Sequence, residues 1–488
     1  MPSGDAGGWR FSRAFWTANC VEVLERAAWF GVFVVITLYL SRILGFDDFP
    51  AAVLSGVLSA GLYLLPTFSG AYADRIGFRN ALMLAFGLLT IGYASMWVLP
   101  TFLEAADLVR YGQGVGYTAL AIGYGPEELI TGYEHAEGLD VTFTGLEESA
   151  YRWLFVPIML VVMVGGSFIK SVITGTVATE TTAINRARGY SIFYAMVNIG
   201  AFSGKTIVYP LRSSLGSEGL VVLNLFAAGM TLLALILVTL FYRAAASSGE
   251  RKTLGEIWAA LIAVCTRGRL VALIMIVTGF WMVQHQLYAT MPKYVIRMAG
   301  EGSSPSWYAN VNPAVVVLTL ALVTYLMRKR RALTSMTVGM FIMPLSAFCM
   351  AAGNMMPEGN VLGLHPVAFM MIVGIGFQGL AESFISPRFL EYFSLQAPKG
   401  EEGLYLGFSH LHSFLSSILG FSLSGILLEK YCPARKGFDT VAEWEAAKVH
   451  AHYIWFVFVG IALASAIALI VFGIVTARID RKQEAEKA

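Results

Sequence analysis

Apolar stretches long enough to cross a bilayer recur along the whole chain of 488 residues. About twenty apolar residues span a hydrocarbon core as a helix, and a helix satisfies its own backbone polar groups where no water can. Twelve such stretches fall near residues 15–44, 50–73, 80–100, 152–178, 188–212, 217–243, 269–298, 306–327, 332–354, 364–390, 403–428 and 452–477. Composition agrees, with 57% hydrophobic and 14% charged residues against about 25% charged in soluble domains. The chain therefore reads as an all-α integral membrane protein with the lipid bilayer as its solvent. A net charge of +2 implies no nucleic acid or other acidic polymer as partner. The four cysteines, Cys20, Cys265, Cys349 and Cys432, show neither paired nor metal-ligating spacing. The polar start to Arg13 leads into an apolar run too long for a signal peptide, so a retained first helix is expected.

The first stretch contains Glu22-Val-Leu-Glu25-Arg26. A charge at the centre of a spanning helix costs about 2.5–3.5 kcal/mol, so three in five residues cannot face lipid. At i, i+3 and i+4 they share one helix face. Two acids beside one base form a site able to take up and release a proton. This points to an ion-coupled machine rather than a passive anchor.

A basic, polar stretch from Arg243 to Arg269 divides the twelve segments into six and six. That is the arrangement of the major facilitator fold, two six-helix halves around a central cavity. The expected parts are residues 1–243, a cytoplasmic linker 244–268, and residues 269–488. Basic clusters at Arg75 and Arg79, Arg186 and Arg188, the linker, Arg328 to Arg331, and Arg478 to Lys482 fall on one side by this count. By the positive-inside rule that side and both termini are cytoplasmic. Residues 101–150 form a long connection with nine acids and one arginine, Arg110. An extracytoplasmic insertion is expected there.

The run Gly70-Ala-Tyr-Ala-Asp74-Arg75-Ile-Gly77-Phe-Arg79 resembles the major facilitator loop signature G-x-x-x-D-R-x-G-x-R. Glycine permits close approach and a sharp turn. Further runs resemble the proton-dependent oligopeptide transporter family. They are Glu22-Val-Leu-Glu25-Arg26-Ala-Ala-Trp29-Phe30-Gly31, Phe193-Tyr194-Ala-Met-Val-Asn198-Ile-Gly200, Trp307-Tyr308-Ala-Asn310-Val-Asn312-Pro313 and Ala381-Glu382-Ser-Phe-Ile-Ser386-Pro387. Lys170, Tyr63 and Pro66 also fall where the family carries matching residues. The resemblance implies proton coupling at Glu22, Glu25 and Arg26, and an inner gate between Lys170 and Glu382. Each of the latter lies seventeen residues beyond the outer end of its segment, counted from Trp153 and His365, or about 25 Å down a helix.

The chain also departs from the family. Ala27, Trp29 and Phe30 stand where the family has a phenylalanine and two tyrosines. Phe33 replaces an arginine, and His285 in Phe280-Trp281-Met-Val-Gln284-His285-Gln286 replaces an acid. Losing both partners of a charge pair together leaves neither uncompensated. His285 can titrate near neutrality, contact substrate, or serve as a neutral hydrogen-bonding residue. His410 and His412 are weaker candidates, because i and i+2 do not share a helix face. No metal site or cofactor is expected.

These readings give a proton-coupled symporter importing small peptides or peptide-like solutes by alternating access, acting as a monomer in a plasma (cell inner) membrane. Tyr63, Asn198, Trp281, His285, Asn312, Trp29 and Phe33 are the expected substrate-lining residues. A transporter of a non-peptide, less anionic solute, by symport or proton-driven export, and a non-transporting receptor of the same fold are the alternatives. ATP-driven transport and hydrolysis find no motif.

Overall fold

The computed structural model describes residues 11–106, 150–181, 185–216, 218–243, 254–357, 359–396, 408–435 and 438–487. It is helical nearly throughout. The nineteen α-helices are α1 (Arg13–Phe33), α2 (Ile36–Arg42), α3 (Asp48–Leu64), α4 (Pro66–Ile76), α5 (Phe78–Ala105), α6 (Phe155–Thr179), α7 (Arg186–Leu215), α8 (Glu218–Phe241), α9 (Leu254–Cys265), α10 (Gly268–Gln284), α11 (Gln286–Ala289), α12 (Met291–Ala299), α13 (Pro305–Tyr308), α14 (Val311–Met327), α15 (Ala332–Ala352), α16 (Pro366–Gln396), α17 (Leu411–Tyr431), α18 (Val441–Ala447) and α19 (Tyr453–Lys487). Most of the acidic insertion expected over 101–150 lies outside the described residues.

Ten helices among the described residues are long and apolar enough to cross a membrane, or eleven with the bent pair α1–α2. The remaining expected segment, 188–212, the fifth in order, is helical as α7. It is not among the helices apolar enough to qualify, with Tyr190, Ser191, Tyr194, Asn198, Ser203 and Lys205 along it.

Several expected spans are interrupted. The first bends by 45° between α1 and α2. The stretch expected as one span over 269–298 is three helices, with turns at His285 and Thr290. Pro292 lacks the N–H that would continue the ladder across the second turn. The stretch expected over 306–327 turns at Ala309 and Asn310. There Pro313 cannot donate to the Ala309 carbonyl four residues back.

The described chain forms two compact units. One comprises the described parts of residues 1–33, 64–110 and 148–257. In it α1 packs on α7 and α8, and α5 packs on α6 and α8. The α1–α7 seam runs on bare backbone: a Cβ on Gly31 would meet the Gly204 carbonyl oxygen at 3.3 Å, and one on Gly200 would meet that of Val23 at 2.6 Å. The other unit comprises residues 34–63 and the described parts of 258–488. Its core joins α15 to α16 and α19, α14 to α16, and α10 to α17 and α19, while α2 lies against α12.

The loop signature behaves as its glycines require. Gly77 ends α4 at φ +83°, a conformation that side chains with a Cβ rarely adopt. Arg79 then donates from Nη2 to the Thr239 carbonyl at 2.7 Å, tying the start of α5 to the end of α8. Gly70 faces Ser171 on α6, 3.2 Å from where a Cβ would stand. The side chain of Asp74 lies outside the described set.

Candidate functional site

In the first unit, α1 delivers Glu22, Glu25 and Arg26 as their spacing requires. Arg26 Nε stands 3.1 Å from Glu22 Oε1 and 2.5 Å from Glu25 Oε2. Both acids are buried, at 3% and 4% exposure. Lys170, on α6, is exposed and lies within electrostatic reach of Glu22. One guanidinium thus serves two carboxylates inside an apolar bundle. Burying a charge is costly unless it is paired, so the second carboxylate has reason to hold a proton.

The neighbouring expected residues take less uniform places. Trp29 stacks on Phe33 at 4.4 Å between centroids, and Phe33 is buried. Asn198 donates from Nδ2 to the Tyr194 carbonyl of its own helix at 2.8 Å, leaving its Oδ1 as the atom able to address a ligand. Lys205, which the sequence reading passed over, is fully buried on α7 with Nζ 5.0 Å above the Phe30 ring.

The second unit gathers a different set. Tyr63 lies parallel to His285 and to His410, each with centroids 6.3 Å apart. Trp281 stacks on His412 at 5.3 Å and approaches His285 at 6.2 Å. His285 meets rings and one hydroxyl, that of Ser416, 3.4 Å from its Nδ1. Glu382 accepts from Gln284 Nε2 at 2.9 Å and from Asn312 Nδ2 at 3.2 Å. Tyr63, Trp281, Glu382 and His410 are half-buried, whereas His285, Gln284, Asn312 and His412 lie behind them. Turns at His285, Asn310 and His410 fall beside this group. Interrupted spanning helices commonly mark a binding site, because irregular backbone is tolerated there.

His410 and His412 are closer to this centre than their i, i+2 spacing suggested. The turn at His410 removes the regular helix on which that argument rested. Among the described residues no three His, Cys, Asp or Glu side chains are arranged to hold a metal ion.

A third charged group also escaped the sequence reading. Asp48, at the start of α3, meets Lys293 Nζ at 2.6 Å and Arg297 at 2.6 and 3.0 Å. Lys293 also donates to Ser41, and Arg297 donates to the Cys432 carbonyl at 2.7 Å. All three charged side chains are at most 3% exposed. Beside them Arg42 pairs with Glu301. The missed signal was Lys293 and Arg297 at i, i+4 within an apolar stretch, the criterion already met by Glu22 and Arg26.

Comparison with known proteins finds relatives and solved structures that are named as transporters. The family model described as POT family matches residues 263–436. Dipeptide and tripeptide permease B of Aeromonas hydrophila is 25% identical over 473 residues, covering 86% of each chain. Multidrug resistance protein MdtH of Photorhabdus laumondii is 24% identical, covering 70% of this chain and 79% of its own. Among solved structures, a proton-dependent oligopeptide transporter superposes with a TM-score of 0.66 at 17% identity, covering 94% of this chain and 98% of that one. The fold is therefore shared with that solved transporter structure.

Proposed function

We propose, from its kinship with the POT family, that this chain is a proton-coupled symporter that imports small peptides across a cell inner membrane. The observation that carries the reading is the buried set Glu22, Glu25 and Arg26, with two carboxylates sharing one guanidinium. A proton on either acid leaves one ion pair of matched charge. Its loss leaves a surplus anion within reach of Lys170. Proton binding thereby changes the electrostatics around Lys170 on α6. Glu382, held by the amides of Gln284 and Asn312, offers the second unit's negative end to a substrate cation. Tyr63 and Trp281 supply ring surface beside it. We assign the chain a monomeric working unit with both termini cytoplasmic.

The test uses purified protein in liposomes holding a pH-sensitive dye under an inside-negative potential. Free di- and tripeptides should acidify the interior. Glu22→Gln should abolish proton-driven accumulation while sparing counterflow exchange. Loss of both in a folded protein would remove Glu22 from the coupling role.

A second reading is proton-driven export of an uncharged, apolar solute. Phe33 stacked on Trp29 supports it, as does the likeness to a multidrug resistance protein. Outward movement of a lipophilic dye under an imposed pH gradient, with no peptide-driven acidification, would establish it instead.

A further inference from the structure

We infer that Trp281 and Gln284 on α10 form a subsite that reads the amide group of the substrate, the peptide bond itself; this rests on the proposed peptide transport. Among the described residues, two buried polar atoms of this helix have no hydrogen-bond partner, the Trp281 Nε1 donor and the Gln284 Oε1 acceptor. Buried polar atoms are rarely left so, and each exception calls for an explanation. The assignment of the Gln284 amide follows from chemistry. Its Nε2 donates to Glu382 at 2.9 Å. An ionised carboxylate can only accept, so Oε1 is the atom left over.

Residues three apart are neighbours on a helix face. Their neighbours differ: the Trp281 ring stacks on His412 of α17, and Gln284 Nε2 donates to Glu382 of α16. A donor and an acceptor thus lie about one helical turn apart on α10. A trans amide presents the complement, with C=O and N–H pointing in opposite directions from one plane. Its carbonyl would accept from Trp281 and its N–H would donate to Gln284. An ester offers the carbonyl without the N–H, leaving Gln284 Oε1 as it is now. Glu382, beside Gln284, would face the substrate's cationic end.

The experiment measures competition by alanyl-alanine, by its ester isostere alanyl-lactate, and by the reduced-amide analogue lacking the carbonyl. The readout is inhibition of labelled alanyl-alanine uptake into proteoliposomes. The wild-type protein should prefer the amide over the ester by about tenfold, the worth of one hydrogen bond to a buried partner. In Gln284→Met that ratio should fall toward one, while discrimination against the reduced amide persists. Trp281→Phe should show the opposite pattern. It also supplies an independent test where Gln284→Met does not fold. Unchanged ratios in a transporting variant overturn the inference and leave peptide transport standing. Failure of the wild-type protein to take up alanyl-alanine overturns the proposed function, and this subsite with it.

Discussion

The two buried charge clusters have opposite arithmetic. On α1 two acids share one base, at 3.1 and 2.5 Å. Between α3 and α12 one acid is shared by two bases, at 2.6 Å each. Counted over these three residues alone, the first has a carboxylate in excess, so a proton can complete it. Counted the same way, the second has a cation in excess, so a proton on Asp48 would leave two like charges buried together. Under the proposed coupling the first changes its charge during the cycle, whereas the second keeps it. The backbone repeats the contrast. Glu22, Glu25 and Arg26 sit on one helix, whereas Asp48 reaches partners 245 and 249 residues away and fastens the segment 34–63 to the rest of its unit.

The largest effect expected from this contrast is on stability. Asp48→Asn should destabilise the purified protein by about 3–5 kcal/mol, as removal of one member of a buried ion pair does. Thermal unfolding in detergent measures it, and a wild-type melting curve would break the contrast. Replacing the whole cluster by Asp48→Leu, Lys293→Met and Arg297→Met should return stability to within about 1–2 kcal/mol of wild type, since apolar residues of like volume often replace a buried triad without loss. Transport assays on that variant would show whether the clamp also has a part in the cycle.

Glu22→Gln should do the reverse, leaving the melting midpoint near wild type while proton-driven accumulation falls to that of empty vesicles. A large loss of stability there would make the α1 cluster a structural clamp as well. Arg42→Gln should cost less than Asp48→Asn, about 1–2 kcal/mol, because Glu301 is 26% exposed and water can take over its carboxylate. The smallest effect is a change of reactivity. Burial pushes the Cys432 thiol up to about 12, so at pH 8 about one in ten thousand is the reactive thiolate. Maleimide labelling of Cys432 should be slow in the wild-type protein and faster in Asp48→Asn, where the Arg297 contact to its carbonyl loosens. Equal rates would show that the clamp does not shield this thiol.

Legibility from sequence divided along the same line. The spanning helices were readable because apolar length is a local property. The α1 cluster was readable because its members lie within one helical turn and each charge is costly in lipid. The twists at Gly77 and the loop signature were equally local. What stayed hidden was assembled from afar: Asp48 with Lys293 and Arg297, and Tyr63 with His410. His412 was set aside on the assumption of an unbroken helix, and no proline stands behind the turn at His285 to announce it. Glu382 was singled out, but its amide partners were not both foreseen. Asn312 was expected at the site, whereas Gln284 was only part of a quoted run.

The glycine seam between α1 and α7 has a consequence for how this chain can diverge. On the lipid-facing surfaces one apolar residue can replace another with little penalty, and the record of descent is soon overwritten. At Gly31, Gly200 and Gly204 every available step adds at least a methyl group where another backbone already lies. That seam should therefore keep its ancestral letters longest, and distant relatives should be easier to align there than along any of the purely apolar spans.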